Sequence, residues 1–168
     1  VSLSAGGTAG FGNPVRVSVE SCAWEQRLTQ PKGKRVKPHL LIVDDDSVYA
    51  GDLAMVLAAD FHCVLAHSPA EAEEEITTDR PAAVLLDFDL GPEHEDFVLL
   101  EWIRMKEPSL PVVMMSEQPS IPTVVEAVRR GVFGFLEKSA NLDELKLILR
   151  NAADWKNKTS ISDNKNKR

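Results

Sequence analysis

From His39 onward the sequence predicts an α/β fold, a doubly wound five-stranded parallel sheet in the order 2-1-3-4-5 with helices on both faces. Short apolar runs alternate there with amphipathic segments, the pattern of repeated βα units. The run Ala82 to Leu86 reads as a buried strand and ends in Asp87-Phe88-Asp89. Similar polar breaks follow the other runs: Asp44-Asp45-Asp46, Ser116 and Lys138. Open α/β sheets place their chemistry at the carboxyl ends of the strands, so these breaks are the candidate site.

Residues 1–38 contain Pro14, Pro31 and Pro38 and hold no sustained period of 2 or 3.6, which reads as a flexible leader. Leu40 to Val43 is the first strand. Asp46 or Ser47 is placed to cap a first helix with Leu53, Val56 and Leu57 on its inner face. His62 to Ala66 is the second strand. Ser68-Pro69-Ala70-Glu71 then supplies an N-cap, a proline at the first helical position and a glutamate three residues after the cap.

Ala82 to Asp87 is the third strand. A polar loop leads to a third helix with Phe97, Leu100, Ile103 and the Arg104 stem inward, stopped by Pro108. Val112 to Met115 is the fourth strand, and helix four covers Ile121 to Arg130, ended by Gly131. Strand five runs from about Gly134 to Glu137. The fifth helix starts at an Asn141 cap, buries Leu142, Leu145, Ile148, Leu149 and Ala152, and ends near Trp155. Residues 39–155 form one domain on this reading, with 156–168 a polar basic tail and no second folded domain.

Right-handed crossovers restrict the strand order, and the order 2-1-3-4-5 sets strand one beside strand three. The acids after strand one and Asp87 then share a crevice, with Ser116 and Lys138 across it. Carboxylates converging this way repel one another unless a cation joins them, and hard oxygen donors suit Mg²⁺ or Mn²⁺. An ionised Asp87 can attack a phosphoryl group, while a lysine ammonium and a hydroxyl stabilise the transferring oxygens. Taken singly, Asp87 would be a turn residue and Ser116 and Lys138 ordinary surface residues; their shared crevice gives them meaning.

Charge is distributed unevenly about the net −7. Residues 40–155 carry eight Lys/Arg against 23 Asp/Glu, whereas the segments on either side are basic. An acidic body argues against direct nucleic-acid binding by that body, which would need clustered positive charge. No apolar run approaches the roughly 18 residues of a membrane span, and no secretion signal is present, so a cytoplasmic location is expected. Cys22 and Cys63 lie in unlike settings and give no disulfide framework.

With these four motifs in order, residues 39–155 resemble the receiver domain of two-component response regulators. The resemblance implies that Asp87 is the phosphoacceptor, Asp45 a direct metal ligand, Asp44 a ligand through water and the Asp89 backbone carbonyl a further ligand. It implies Ser116 as the switch hydroxyl, Phe135 as the switch aromatic and Lys138 as the phosphate-contacting cation. The implied partners are a sensor histidine kinase or phosphotransfer protein, and a downstream protein read through helix four, strand five and helix five; a homodimer is compatible with this. Such a domain is not a turnover enzyme, although it assists its own phosphorylation and dephosphorylation.

Three positions depart from the family pattern. Glu117 follows the switch hydroxyl where a small residue is usual, adding charge and bulk that would modulate phosphoryl chemistry. The loop Leu90 to Asp96 is one residue longer than usual and lacks the glycine before helix three. Ser139 follows Lys138 where proline is commonest. Two other functions use the same residues: a haloacid-dehalogenase-like phosphatase, whose Asp-x-Asp motif Asp87-Phe88-Asp89 imitates, and a receiver-like interaction domain that needs no phosphate. The acidic pair upstream of Asp87 argues against the first, and intact Asp44, Asp45, Asp87 and Lys138 against the second.

Overall fold

A computed structural model describes residues 36–90 and 97–165, with side chains described to residue 157. Residues 1–35 of the expected leader 1–38, and most of the loop after Leu90, lie outside the described residues. Five strands, β1 (His39–Val43), β2 (His62–Ala66), β3 (Ala83–Asp87), β4 (Val112–Ser116) and β5 (Gly134–Glu137), alternate with five helices: α1 (Ser47–Leu57), α2 (Pro69–Asp79), α3 (Val98–Lys106), α4 (Ile121–Arg129) and α5 (Leu142–Lys165). All strand pairs are parallel, and the order is β2-β1-β3-β4-β5, as the sequence predicts.

The sheet is a wall between two cores, because side chains on a strand alternate between its faces. Leu41, Val43, Val84, Leu86, Val112 and Met114 pack with residues of α2, α3 and α4. Leu40, Ile42, Leu85, Val113 and Met115 pack with α1 and α5 on the opposite face. Burial on both sides explains why the strands read as unbroken apolar runs.

Capping follows the residue types. Asp46 Oδ1 accepts from the Val48 and Tyr49 amides at 2.9 and 3.1 Å, and Ser68 and Ser120 cap α2 and α4. Gly131, at φ +85°, supplies the left-handed residue that ends α4. Gly134 serves close packing instead, because a Cβ there would collide with Ile148 Cδ1, and the bare backbone lets β5 approach α5.

Four details differ from the sequence expectation. Val56 is 44% exposed, and the inner face of α1 buries Ala50 and Leu57 instead. Phe97 precedes α3 instead of lying within it, in a left-handed conformation at φ 71°, and Leu99 takes the inward position beside Leu100 and Ile103. Leu142, the first residue of α5, is 36% exposed, since the helix has not yet turned its inner face to the core there. Finally α5 continues past Trp155 to Lys165: the residues after Trp155 include neither Pro nor Gly, so nothing in the chain stops the helix there.

Candidate functional site

Sheet register brings the acids together. Val43 pairs with Leu86, so Asp44 and Asp87 come next on adjacent strands. Asp44 stays on the ladder, its amide donating to the Ala66 carbonyl at 3.1 Å, and its side chain is 1% exposed. Asp87 is 3% exposed and ends β3. Asp45 turns outward and is exposed, yet carboxylate oxygens of Asp44, Asp45 and Asp87 all lie within 4.8 Å of one another.

Lys138 closes the cluster from the end of β5. Its Nζ donates to Asp44 Oδ2 at 2.8 Å and to Asp87 Oδ2 at 2.9 Å, joining two buried carboxylates through one ammonium. Its own amide donates to the Ser116 carbonyl at 2.8 Å, which sets the lysine beside Ser116. Burial works against the lysine charge, but the hydrogen bonds and charges of Asp44 and Asp87 outweigh it and hold the ammonium above the ordinary lysine value. Burial pushes the Asp87 carboxyl above its ordinary range; the Lys138 hydrogen bond pulls against that, and the Asp44 charge adds to it.

Two acids thus share one cation, and a third acid stands at the mouth. Asp46 is occupied as the cap of α1, so it does not join them. Among the described residues nothing hydrogen-bonds the Asp45 side chain, and Asp87 Oδ1 accepts only the Asp89 amide, at 3.3 Å. Carboxylate oxygens with lone pairs to spare, within the span of an octahedral oxygen shell of roughly 4 Å across, fit a small hard divalent cation.

Ser116 ends β4 and is 2% exposed. Its hydroxyl donates to Asp89 Oδ2 at 3.1 Å. Glu117 lines the open crevice together with Asp45, Asp46, Tyr49, Asp87, Asp89 and Lys138. Phe135 is half-buried against the α2, α3 and α4 core, its ring 6.5 Å from that of Phe88, so it belongs to the packing next to the crevice.

Sequence reasoning misses three contributors. Tyr49 donates its hydroxyl to the Lys138 carbonyl at 3.4 Å and lays its ring 4.7 Å from Lys138 Nζ, so one side chain braces the lysine at both ends. His67 holds the backbone of Asp44 through Nδ1 at 2.9 Å from its carbonyl oxygen. Tyr49 could have been found from its place three residues after the Asp46 cap; nothing in the sequence distinguishes His67. The third omission is the Asp89 carboxylate, since the resemblance implies a part only for its backbone carbonyl.

The sequence model of the response regulator receiver domain family matches residues 40–150. Nitrogen assimilation regulatory protein NtrX of Azorhizobium caulinodans is 35% identical over 117 residues, 68% of this chain and 26% of that protein. The DNA-binding transcriptional regulator NtrC of Escherichia coli is 30% identical over 112 residues, 66% of this chain and 24% of that protein. The chain therefore spans about a quarter of the length of these curated relatives. The crystal structure of the receiver domain of NtrX from Brucella abortus superposes with a TM-score of 0.63 at 34% identity, covering 68% of this chain and 98% of that one. Sheet order, sequence match and structural likeness agree: this chain belongs to the response regulator receiver domain family and carries the receiver of a two-component response regulator.

Proposed function

We propose that Asp87 is the phosphoacceptor of this receiver. The observation that carries the reading is the Lys138 ammonium set between Asp44 and Asp87, with Asp45 in reach of both. Asp87 attacks the phosphorus of a phosphohistidine on a sensor kinase or phosphotransfer protein. As its oxygen bonds to phosphorus, the phosphorus–nitrogen bond breaks and the imidazole leaves, giving an acyl phosphate on Asp87.

Lys138 already stands 2.9 Å from Asp87 and can turn one of its three donors onto a phosphoryl oxygen without leaving Asp44. Ser116 supplies a hydrogen bond to a second oxygen, and Tyr49 keeps Lys138 from swinging out. Asp45 and Asp87 would hold Mg²⁺ or Mn²⁺ directly, with Asp44 through water and the Asp89 carbonyl as a further ligand; when bound, the ion spreads the negative charge of the transferring group. Glu117 adds a negative charge at the mouth and slows transfer, hydrolysis or both.

The phosphoryl group adds about −1.5 to −2 charge in the crevice. Drawing Ser116 and Lys138 toward it shifts the population of a surface formed by α4, β5 and α5, with Phe135 beneath it. A downstream protein, or a second copy of the chain, reads that face. The body's acidic charge agrees with a protein reader over a nucleic acid, no described helix is long and apolar enough to cross a membrane, and we place the reaction in the cytoplasm.

Incubation with Mg²⁺ and acetyl phosphate, beside the variant Asp87→Asn, tests this by intact mass. One phosphoryl adduct in the native chain, lost in the variant, is the expected result. Turnover of a phosphate ester without an adduct would instead mark a phosphatase, and neither adduct nor turnover would leave a domain that works without phosphate.

A further inference from the structure

We propose that the Asp89 side chain is a positioning residue which holds the Ser116 hydroxyl in the resting state and must give it up when Asp87 is phosphorylated. The inference rests on the phosphoacceptor reading of Asp87 and adds to it a competitor for the switch hydroxyl.

The Ser116 side chain is buried at the end of β4, and its single O–H donates to Asp89 Oδ2 at 3.1 Å. A hydroxyl has one proton to donate. It serves the Asp89 carboxylate or a phosphoryl oxygen, never both. Among the described residues no other group accepts from Ser116 Oγ, so without Asp89 the resting hydroxyl has no acceptor there, and burying an unmatched polar group is costly. Asp89 therefore stabilises the resting position, and it can do so because its amide, donating to Asp87 Oδ1 at 3.3 Å, keeps its backbone next to the acceptor.

Release follows from charge. Asp89 is exposed and forms no ion pair among the described residues, unlike Asp44 and Asp87, which are buried against Lys138. New negative charge on Asp87 repels the Asp89 carboxylate, and Glu117 on the crevice wall discourages it from settling nearby. The carboxylate can turn into water at little cost, and Ser116, once released, turns its proton toward the phosphoryl group. Asp89 thus sets the threshold for switching.

The test uses the full chain with the variants Asp89→Ala, Asp89→Asn, Ser116→Ala and Asp89→Ala/Ser116→Ala. Amide chemical shifts of Phe135, Ala127 and Val128 report the switched population, and intact mass with acetyl phosphate and Mg²⁺ reports the adduct. Before any donor is added, Asp89→Ala should move those shifts toward their phosphorylated positions, with roughly a fivefold larger switched population, about the worth of one hydrogen bond. Asp89→Asn keeps an oxygen acceptor and should restore most of the resting position. In the Ser116→Ala background, Asp89→Ala should move nothing further. Resting shifts unchanged in Asp89→Ala, or an equal change with and without Ser116, would overturn the proposal while a native adduct left the phosphoacceptor reading standing. No adduct in the native chain would overturn both.

Discussion

The β1–β3 side of the crevice and the α4–β5 side are built to opposite specifications. On the first, β1 and β3 are buried along nearly their whole length, and the buried carboxylates Asp44 and Asp87 each have a cationic partner within 3 Å. On the second, α4 buries only Ala127, leaving Ile121 82%, Val125 45% and Val128 61% exposed, and only Leu136 of β5 is buried. Regions with few buried apolar contacts lose little by shifting. One side therefore holds charge in place, and the other is free to rearrange around it, which is the division of labour a switch requires.

Removing the cation should break this contrast most severely. Lys138→Met leaves Asp44 and Asp87 facing each other in a buried site, and loss of one partner from such a pair costs about 3 kcal/mol or more. Urea unfolding at pH 8 should show that loss, and it should shrink toward pH 5 as the Asp87 carboxyl, held above its ordinary range by burial, takes up a proton. A loss independent of pH would mean the site is less tightly coupled than its distances imply.

Asp87→Asn should act in the opposite direction. Its folded carboxyl titrates above the ordinary value of 3.8, so its contribution to stability is complete below that value and lost as pH rises through the folded one. Near pH 7 the native carboxylate is a liability, and the asparagine variant should be more stable by about 1 kcal/mol, the usual gain when a strained functional group is removed. The gain should vanish as the pH approaches 4. Equal stabilities at every pH would show that Lys138 fully compensates the acid.

On the other side the effects should be small. Ile121→Ser and Val125→Ser, exposed on α4, should change stability by no more than about 0.5 kcal/mol in the same urea assay. A larger loss would show α4 to be more firmly seated than its exposure indicates.

The sequence carries the sheet because each strand is an apolar run bounded by turn chemistry, and the order follows from general rules of handedness. It carries Asp44, Asp45, Asp87, Ser116 and Lys138 because polar residues at strand ends are few. What it does not carry depends on side-chain direction across elements. Tyr49 meets Lys138 across 89 positions of chain, and the Asp89 carboxylate reaches Ser116 across 27, so neither meeting leaves a periodic signal. Phe97 stands outside the expected helix for a local reason: an aromatic in a left-handed conformation breaks the preference that assigns it to the helix. The length of α5 exceeds the expectation because a polar composition reads as absence of helix, although polar residues such as Lys and Asn lower helix propensity only modestly.

Three carboxylates gather about one ammonium at the head of the sheet, and Asp89 and Glu117 stand at the same opening. On the proposed function the incoming donor is itself an anion, so the crevice repels the molecule it must react with. Raising the donor concentration alone is a poor remedy, because charges within the roughly 8 Å Debye length at physiological salt, in a partly closed site above all, are little screened. On the proposed function, in circuit terms, the crevice would be an AND gate: divalent cation and phosphodonor would multiply each other's effect, and the output would stay low with either input missing.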